Sequence, residues 1–199
     1  MIILILGGVG QGKTLSAIKE IIDSNQYVLT NFKLLNMKNY HRIKVSDIIN
    51  KAEKTKDYSV NWKFWDSIRK EHKSYSIVLD EISNIIHSRR ATSKINVLMS
   101  KWVSQIRKIL SDHPDNHLYL ISQTLRKIDV DFRELAQMVI SCQKKEVGKK
   151  VYIRQKYYDG IGDYEFNFQR AVKIFLANQY FKYYKTTELV TFSDAEEFV

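Results

Sequence analysis

The first 142 residues alternate short apolar runs with segments of helical periodicity. The run IILIL at residues 2–6 is continuous and apolar, which is typical of a parallel strand covered on both faces. Residues 13–24 instead repeat apolar side chains at helical spacing, with Leu15, Ile18 and Ile21 on one face. Further strands are predicted at residues 27–32, 75–81, 117–122 and 136–142. This alternation favours an α/β fold with a mainly parallel central sheet flanked by helices.

Two other segments of this part have helical character. From residue 95 onward, one face of a long predicted helix collects the apolar side chains Ile95, Leu98, Met99, Trp102, Val103, Ile106 and Leu110. Residues 44–70 are mixed, with helical stretches predicted around VSDIINKA (45–52) and NWKFWDSIRK (61–70). We therefore expect helices between the strands, as a parallel sheet requires.

The pattern changes after residue 142. The segment KKEVGKKVYIRQKYYDG (144–160) has a glycine between two strand-like runs, which predicts a β-hairpin. The alternation of apolar and polar residues continues through YEFNFQRAVKIFL (164–176). We therefore expect antiparallel strands at the edge of the sheet. The chain is predicted to form a single domain over residues 1–199, with a core (1–145) and a β-rich carboxyl-terminal extension (146–199).

The charge of the chain narrows the classes of partner. Lys and Arg number 32 against 22 Asp and Glu, a formal net charge of +10. Acidic residues are frequent in the last dozen positions, so the basic excess belongs to the body of the domain. This charge favours an anionic partner, nucleic acid first, although a lysine-rich solvated surface gives the same composition.

Composition also indicates the compartment. A single cysteine excludes an internal disulfide framework and fits a reducing environment. No apolar run approaches the roughly 20 residues that a transmembrane helix needs, and the amino terminus lacks the features of a secretory signal. We expect a protein without a membrane span, in the cytoplasm of a cell or in a particle assembled there.

The segment GGVGQGKT (7–14) follows the first strand, opens the first helix and matches the phosphate-loop pattern G-x-x-x-x-G-K-[ST] in full. Its glycines let backbone N–H groups converge at the helix amino terminus, which favours an anion such as a triphosphate. Lys13 is expected to reach the β and γ phosphates, and the Thr14 hydroxyl to ligate Mg²⁺. The predicted ATP contacts are Gly8, Val9, Gly10, Gln11, Gly12, Lys13, Thr14 and Leu15. Residues 1–145 thus form a predicted nucleotide-binding core, with an unliganded glycine-rich turn as the alternative.

Polar residues close two later strands. Asp80 and Glu81 end the run YSIVLDE, and Gln123 follows the run HLYLIS. In an open α/β sheet the carboxyl ends of the strands face the ligand crevice. We expect Asp80 to complete the Mg²⁺ shell and Glu81 to orient or deprotonate the attacking water. Gln123 is a candidate sensor of the γ-phosphate, or a simple strand cap.

Basic and aromatic residues supply further candidates. A positive charge often stabilises the transferring phosphoryl group, and Arg90 and Arg107 rank first for this catalytic role, ahead of Arg89 and Arg126. For each arginine, a surface or DNA-contact role is the alternative. The tail NQYFKYYKTTELVTF (178–192) mixes aromatics with lysines, which fits either a nucleic-acid stacking surface or a core edge.

The order of these motifs carries a family resemblance. GGVGQGKT, VLTNF, IVLDEIS, HSRR, SQIRK and LYLISQT follow one another as in FtsK/HerA-type P-loop ATPases. The chain is most similar to viral genome-packaging ATPases and to the Zot-like (zonula occludens toxin-like) proteins of phages. The resemblance covers residues 1–145 well and the remainder weakly, although YKTTELV (184–190) resembles the closing strand of the viral proteins.

The resemblance implies a RecA-like sheet in which the strand that ends at Gln123 lies between the strands that end at the phosphate loop and at Asp80. It implies that Lys13 and Thr14 contact phosphate and Mg²⁺, that Asp80 and Glu81 form the second acidic motif, and that Gln123 is the sensor. Members of the family generally work as homo-oligomeric rings, often hexamers, that pump double-stranded DNA. Membrane-anchored Zot-like proteins carry a transmembrane segment that this sequence lacks, which favours genome packaging over virion export.

These observations predict an ATP-hydrolysing, Mg²⁺-dependent DNA translocase that packages a viral double-stranded DNA genome into a capsid. Capsid or virion proteins are then expected partners, in the host cytoplasm or in association with the virion. An assembly or secretion ATPase that acts on protein or on virion export is the alternative. A small-molecule kinase is a third possibility, but Glu81 is suited to activating water and no arginine-rich lid is evident.

Overall fold

The computed structural model describes residues 1–51, 58–81, 94–128 and 130–185, and only the backbone at 51, 94–96, 107 and 131. Its strands are β1 (Ile2–Leu6), β2 (Tyr27–Thr30), β3 (Tyr40–Arg42), β4 (Ile49–Lys51), β5 (Tyr58–Val60), β6 (Tyr75–Leu79), β7 (His117–Ser122), β8 (Met138–Val147), β9 (Lys150–Tyr158) and β10 (Ala171–Leu176). Its helices are α1 (Lys13–Ser24), α2 (Val45–Ile48), α3 (Trp62–Glu71), α4 (Lys94–Leu110), α5 (Val130–Glu134) and α6 (Gly160–Glu165).

Eight of these strands form one sheet in the order β10-β9-β8-β1-β7-β6-β2-β3. The six strands from β8 to β3 are parallel, and β9 and β10 add antiparallel pairs at one edge. The RecA-like α/β prediction is therefore confirmed, including the position of β7 between β1 and β6. β4 and β5 pair separately as a small antiparallel ribbon.

Residue types explain the central strands. Every side chain of β1 and β6 is buried, because both faces of the sheet are covered. A continuous run of branched aliphatic residues suits such a strand. In α1, the buried side chains Leu15, Ile18 and Ile21 recur at helical spacing on the face that packs against the sheet. The pattern of the sequence thus fixes which elements lie inside.

Each face of the sheet has its own core. One core joins the sheet to α3, α4 and α5 and contains the fully buried indole rings of Trp65 and Trp102, 5.3 Å apart. The other core lies under α1 and also contains β9 residues such as Ile153. The predicted apolar face of α4 is confirmed at the described positions Met99, Trp102, Val103, Ile106 and Leu110, all buried.

Some predicted elements differ from the structure. The expected helix around VSDIINKA ends at Ile48, and the chain continues as β4. The hairpin predicted for 144–160 is confirmed as β8 and β9, with β8 crossing residue 145. The alternating segment 164–176 is only partly a strand, because Tyr164 lies in α6 and packs edge-on against Tyr158. The next two aromatic residues of the alternation, Phe166 and Phe168, follow α6 and are exposed, with their rings stacked on each other.

Candidate functional site

The carboxyl ends of three adjacent strands, β1, β7 and β6, bring together the polar residues singled out in the sequence. The loop 7–12 follows β1, Gln123 follows β7, and Asp80 and Glu81 follow β6. Parallel strands end at the same edge of a sheet, so these segments form one crevice at the amino terminus of α1. The site is thus a product of strand order rather than of proximity in sequence.

The glycine loop has a backbone that side chains would disturb. Gly10 and Gly12 have φ of 70° and 81°, in the left-handed region that favours glycine. Gly12 caps α1, and a Cβ at this position would overlap the side chain of Ile153 on β9. Lys13 is only 7% exposed, and its Nζ donates to the Gly8 carbonyl at 3.0 Å. Its ammonium group is therefore held over the loop, where a phosphate would sit.

Strand β8 braces the same loop from the other side. The Gln11 side-chain Oε1 accepts a hydrogen bond from the Lys144 N–H at 2.9 Å, and the Gln11 N–H donates to the Gly8 carbonyl at 3.3 Å. Val9 projects outward, 79% exposed, whereas the Leu15 side chain is buried in the core under α1. Of the predicted ATP contacts, Leu15 therefore offers only its backbone.

Asp80 is the buried charge of the site. It is 3% exposed, and one carboxylate oxygen, Oδ2, accepts the Thr14 hydroxyl hydrogen bond at 2.6 Å. The other oxygen, Oδ1, accepts the Glu81 N–H at 2.8 Å. Burial raises the pKa of Asp80 to about 6, although both hydrogen bonds favour the ionised form. The carboxylate lacks a cation strong enough to offset its loss of solvation.

The donor set fits Mg²⁺. The Thr14 hydroxyl and the Asp80 carboxylate lie together, and oxygen ligands of this kind are those that Mg²⁺ prefers. Within the described residues there is no cluster of three or more His, Cys, Asp or Glu that would form an all-protein metal cage. Mg²⁺ commonly uses one or two protein oxygens and completes its shell with substrate phosphates and water.

Asn31 is a site residue that the sequence analysis missed. It is 1% exposed, follows β2 and forms two hydrogen bonds with the Asp80 backbone. Its Oδ1 accepts the Asp80 N–H at 2.8 Å, and its Nδ2 donates to the Asp80 carbonyl at 2.9 Å. The available signal was a polar residue directly after the buried strand β2, in the segment VLTNF. Asn31 fixes the position at which the acidic pair leaves β6.

Glu81 has a strained backbone beside the crevice. Its φ of 49° places a non-glycine residue in the left-handed region, at a cost of about 1–3 kcal/mol. Its Oε1 lies 3.4 Å from the Gln123 Nε2, a long hydrogen bond that connects the ends of β6 and β7. Lys127 Nζ donates in turn to Gln123 Oε1 at 3.4 Å. The carboxylate of Glu81 is thus turned toward the residue predicted as the sensor.

A cavity of about 590 Å³ opens beside the first glycines of the loop. It lies on the face of the sheet opposite α1, between the end of β8, strand β9 and α6. Its lining residues are Gly7, Gly8, Ser141, Cys142, Gln143, Lys156, Tyr158, Tyr164, Glu165 and Asn167. Most of these side chains come from the antiparallel part of the chain, for which the sequence analysis named no site residue.

Comparison with known proteins gives the family. The model of the zonular occludens toxin (Zot) family matches residues 1–190, nearly the whole chain. The chain belongs to this Zot family. The predicted likeness to Zot-like proteins is therefore confirmed. The sequence matches no curated protein.

Solved structures share the fold of this Zot-family chain. The crystal structure of the N-terminal domain of zonular occludens toxin from Neisseria meningitidis is 20% identical, with a TM-score of 0.58, and the match covers 92% of this chain and 98% of that one. The genome-packaging NTPase B204 of Sulfolobus turreted icosahedral virus 2, in complex with ATP-gammaS, is 14% identical. That match covers 87% of this chain and 95% of B204, at a TM-score of 0.47. The first of these matches, at 20% identity, indicates a shared fold alone.

Two predicted site residues of the Zot-family chain cannot be located at the crevice from the described part of the structure. Arg90, like Arg89, lies outside the described residues. Arg107 belongs to α4, and only its backbone is described. Arg126 lies in a short 3₁₀ turn that follows Gln123 by two residues. The choice among the arginines therefore stays a prediction.

The described residues of the aromatic tail (178–192) favour the core-edge alternative over a stacking surface for nucleic acid. Tyr184 is buried and meets Phe32 edge-on at 5.4 Å, and Tyr180 and Tyr183 pack against the core under α1. Residues 186–199, which include most of YKTTELV, lie outside the described part. Among the helices that the structure describes, none is both long and apolar enough to cross a bilayer.

Proposed function

We propose that the protein is a Mg²⁺-dependent ATPase that uses hydrolysis to move double-stranded DNA, in the packaging of a viral genome into a capsid. The observation that carries the ATPase is the pairing of Thr14 with the buried Asp80, next to a glycine loop and an acidic residue of strained backbone. Such a pair has no evident role in packing alone.

Nucleotide binding is assigned to the loop. The triphosphate sits at the amino terminus of α1, where free N–H groups and the helix dipole favour an anion. Lys13 exchanges its hydrogen bond with the Gly8 carbonyl for the β and γ phosphates. Binding of a phosphate thus replaces a weak neutral acceptor by a charged one, which is a stronger partner.

Thr14 and Asp80 hold the metal. Bound Mg²⁺ neutralises charge on the β and γ phosphates during transfer. A cation at this position would offset the desolvation of the Asp80 carboxylate. The pKa of Asp80 would then fall below the value of about 6 that it has in the free protein. The Thr14 hydroxyl, which donates its hydrogen to Asp80, would keep its oxygen lone pairs available as a metal ligand.

Hydrolysis is assigned to Glu81. Its carboxylate accepts a proton from water as the water oxygen attacks the γ-phosphorus and the bond to the β-phosphate oxygen breaks. Gln123, already within 3.4 Å of Glu81, positions that water and senses the γ-phosphate. Arg90 or Arg107 supplies a positive charge to the phosphoryl group, in its own subunit or in a neighbour within a homo-oligomeric ring such as a hexamer.

The DNA substrate is supported by charge and by family resemblance. A net charge of +10 suits a polyanionic partner, and FtsK/HerA-type ATPases are DNA motors. Phosphate contacts grip DNA without reading its sequence, as a motor requires. We place the protein in the host cytoplasm or in association with the virion, with capsid proteins as further partners.

Membership of the Zot family favours a second candidate, an assembly or secretion ATPase that acts on protein. The active site would be the same, and the difference lies in what stimulates it. Duplex DNA stimulates a DNA motor, whereas a protein-directed ATPase is indifferent to it.

The test is the rate of phosphate release from Mg²⁺-ATP with and without duplex DNA, together with the native mass in the presence of a non-hydrolysable ATP analogue. We expect hydrolysis that duplex DNA stimulates several-fold, a ring-sized mass, and loss of activity in Lys13→Ala. Turnover that ignores DNA would contradict the DNA motor and leave the ATPase. Absence of turnover in every condition would contradict both.

A further inference from the structure

The hairpin of β8 and β9 has two unlike faces. Cross-strand partners share a face, so Gln143 and Arg154, Lys145 and Tyr152, and Val147 and Lys150 project from the side opposite α1. Lys156 lies on this side as well, one pair further in. We call the four side chains Lys145, Lys150, Arg154 and Lys156 the basic face.

Positive charge is concentrated in this hairpin. Residues 143–156 contain six Lys and Arg and one Glu, a net charge of +5, which is half of the +10 of the whole chain. The single acidic residue, Glu146, projects from the other side and pairs with Lys144 at 2.8 Å. The basic face therefore carries four cations and no acidic residue of either strand.

The cations of the basic face are not used within the described part of the chain. Some cations elsewhere pair with carboxylates, as Lys19 does with Asp23 at 2.8 Å and Arg69 with Asp112 at 2.5 Å. Among the described residues, Lys145, Lys150 and Arg154 have no ion pair, and all three are exposed. Lys156 is half-buried and lines the cavity that also contains Glu165. Four like charges on one sheet face repel one another, and a bound anionic ligand would compensate this repulsion.

The edge strand extends this face with apolar groups. Val172 pairs with Lys156 and Ile174 with Arg154, so both project on the same side. Ile174 is 65% exposed and Val147 54% exposed. The result is an open antiparallel surface on which long basic side chains rise beside short apolar ones.

The hairpin is joined to the phosphate loop by two contacts. The Lys144 N–H donates to the Gln11 side chain at 2.9 Å, and Ile153 packs where Gly12 lacks a Cβ. Both contacts come from the part of the hairpin that carries the basic face on its other side. The two strands that carry the basic face therefore also contact the loop directly.

We propose that the basic face binds the phosphate backbone of double-stranded DNA and that the hairpin couples this contact to the phosphate loop. The inference rests on the proposed function and names its DNA contact. Side chains two residues apart on a strand are about 6.6 Å apart. Duplex DNA carries one negative charge per ~1.7 Å of its axis, a density of phosphates that suits a face of closely spaced cations. The absence of acidic groups on the face favours this uniform polyanion over a protein surface of mixed charge.

The test removes three exposed cations, Lys145→Gln, Lys150→Gln and Arg154→Gln, in one variant. A matched control removes three exposed cations outside the hairpin, in α3, in the turn before β6 and in α4: Lys70→Gln, Lys73→Gln and Lys108→Gln. Both are compared with the wild type for affinity to a duplex as a function of salt, and for ATP hydrolysis with and without duplex. Circular dichroism verifies that both variants fold.

We expect the hairpin variant to lower the slope of log affinity against log salt by about 3, roughly one per phosphate contact. Its DNA-free ATPase rate should stay within about twofold of the wild type, while stimulation by duplex is lost. The control should keep the wild-type slope and the stimulation.

Different failures point to different errors. A hairpin variant with the wild-type slope, in a protein that duplex DNA stimulates, would overturn the inference and leave the DNA motor. Absence of duplex binding by the wild type would overturn the DNA motor itself and the inference with it. A hairpin variant that changes the native mass but not the slope would make this face a contact between copies. Binding confined to a single strand of equal length would overturn the choice of duplex.

Discussion

The two ends of the parallel strands bury polar groups in different ways. We call the side of the sheet where these strands begin the amino edge, and the side where they finish the carboxyl edge. At the amino edge, neutral side chains find neutral partners: Asn116 Oδ1 accepts the Tyr75 N–H at 2.9 Å, and Gln26 Oε1 accepts the Ser76 hydroxyl at 2.6 Å. At the carboxyl edge, two of the buried groups, Lys13 and Asp80, are charged. Among the described residues, the Lys13 ammonium donates to a carbonyl, and the Asp80 carboxylate accepts from a hydroxyl and an amide.

This difference distinguishes the end of the sheet that serves the fold from the end that carries the candidate site. At the amino edge these hydrogen bonds are made within the chain, although the buried Asn116 Nδ2 lacks a partner among the described residues. The carboxyl edge holds an ammonium and a carboxylate without a direct ion pair, and its strained Glu81 adds to the cost. A site arranged in this way becomes more stable when phosphate and a cation bind. Substitutions at the two edges should therefore have opposite consequences for activity and stability.

The largest expected effect is that of Glu81→Gln on hydrolysis. Removing a general base lowers a rate by about 10²–10⁴-fold. Affinity for a non-hydrolysable ATP analogue should stay near that of the wild type, because Glu81 is not assigned to binding. Phosphate release and analogue titration measure the two properties separately. A variant that still turns over within tenfold of the wild type would remove Glu81 from the chemical step.

Asp80→Asn tests the buried charge through stability. The folded-state pKa of Asp80 is raised to about 6, so its contribution to stability is full below the unfolded value of 3.8 and is lost as pH rises through 6. At pH 8 the ionised, buried Asp80 therefore destabilises the wild type, and the variant lacks this destabilising charge. Hydrolysis should be lost in the same variant.

The measurement is urea unfolding of nucleotide-free protein at pH 5 and pH 8. The stability of Asp80→Asn relative to the wild type should rise by about 1–2 kcal/mol between these pH values. Comparing the two pH values removes the stability cost of any hydrogen bond that the amide of the variant fails to form, because this cost is the same at both. An unchanged difference would mean that Asp80 is ionised without penalty.

Asn116→Ala should give the complementary result at the amino edge. The substitution leaves the buried Tyr75 N–H without its acceptor, which costs about 1–3 kcal/mol. ATP turnover of the folded fraction should not change, since Asn116 lies at the far end of the strands from Lys13 and Asp80. Urea unfolding and turnover at 20 °C or below check the two statements. A loss of turnover beyond the loss of folded protein would break the distinction between the edges.

The sequence predicted those parts of the site that lie directly after an apolar run. The loop 7–14, Asp80 and Gln123 each follow such a run, and the rule that parallel strands end at one edge was enough to bring them together. The strand order itself came from family resemblance, because periodicity alone does not order strands.

The sequence alone did not predict the long-range packing contacts. Ile153 fills the space at Gly12 from a strand 141 residues further along the chain, and Asn31 reaches the Asp80 backbone only because β2 lies beside β6. Helix α6 was hidden for a similar reason, since alternation of Tyr164, Phe166 and Phe168 resembles a strand. Such features depend on which elements become neighbours, and local patterns do not encode that.

The most direct test of the carboxyl edge as a metal-nucleotide site is calorimetric titration of a non-hydrolysable ATP analogue, with Mg²⁺ and with a chelator. In the wild type, Mg²⁺ should tighten binding by about tenfold or more, equal to ~1.4 kcal/mol. In Asp80→Asn this difference should disappear. Equal affinity with and without Mg²⁺ in the wild type would contradict the assignment of Thr14 and Asp80 to the metal.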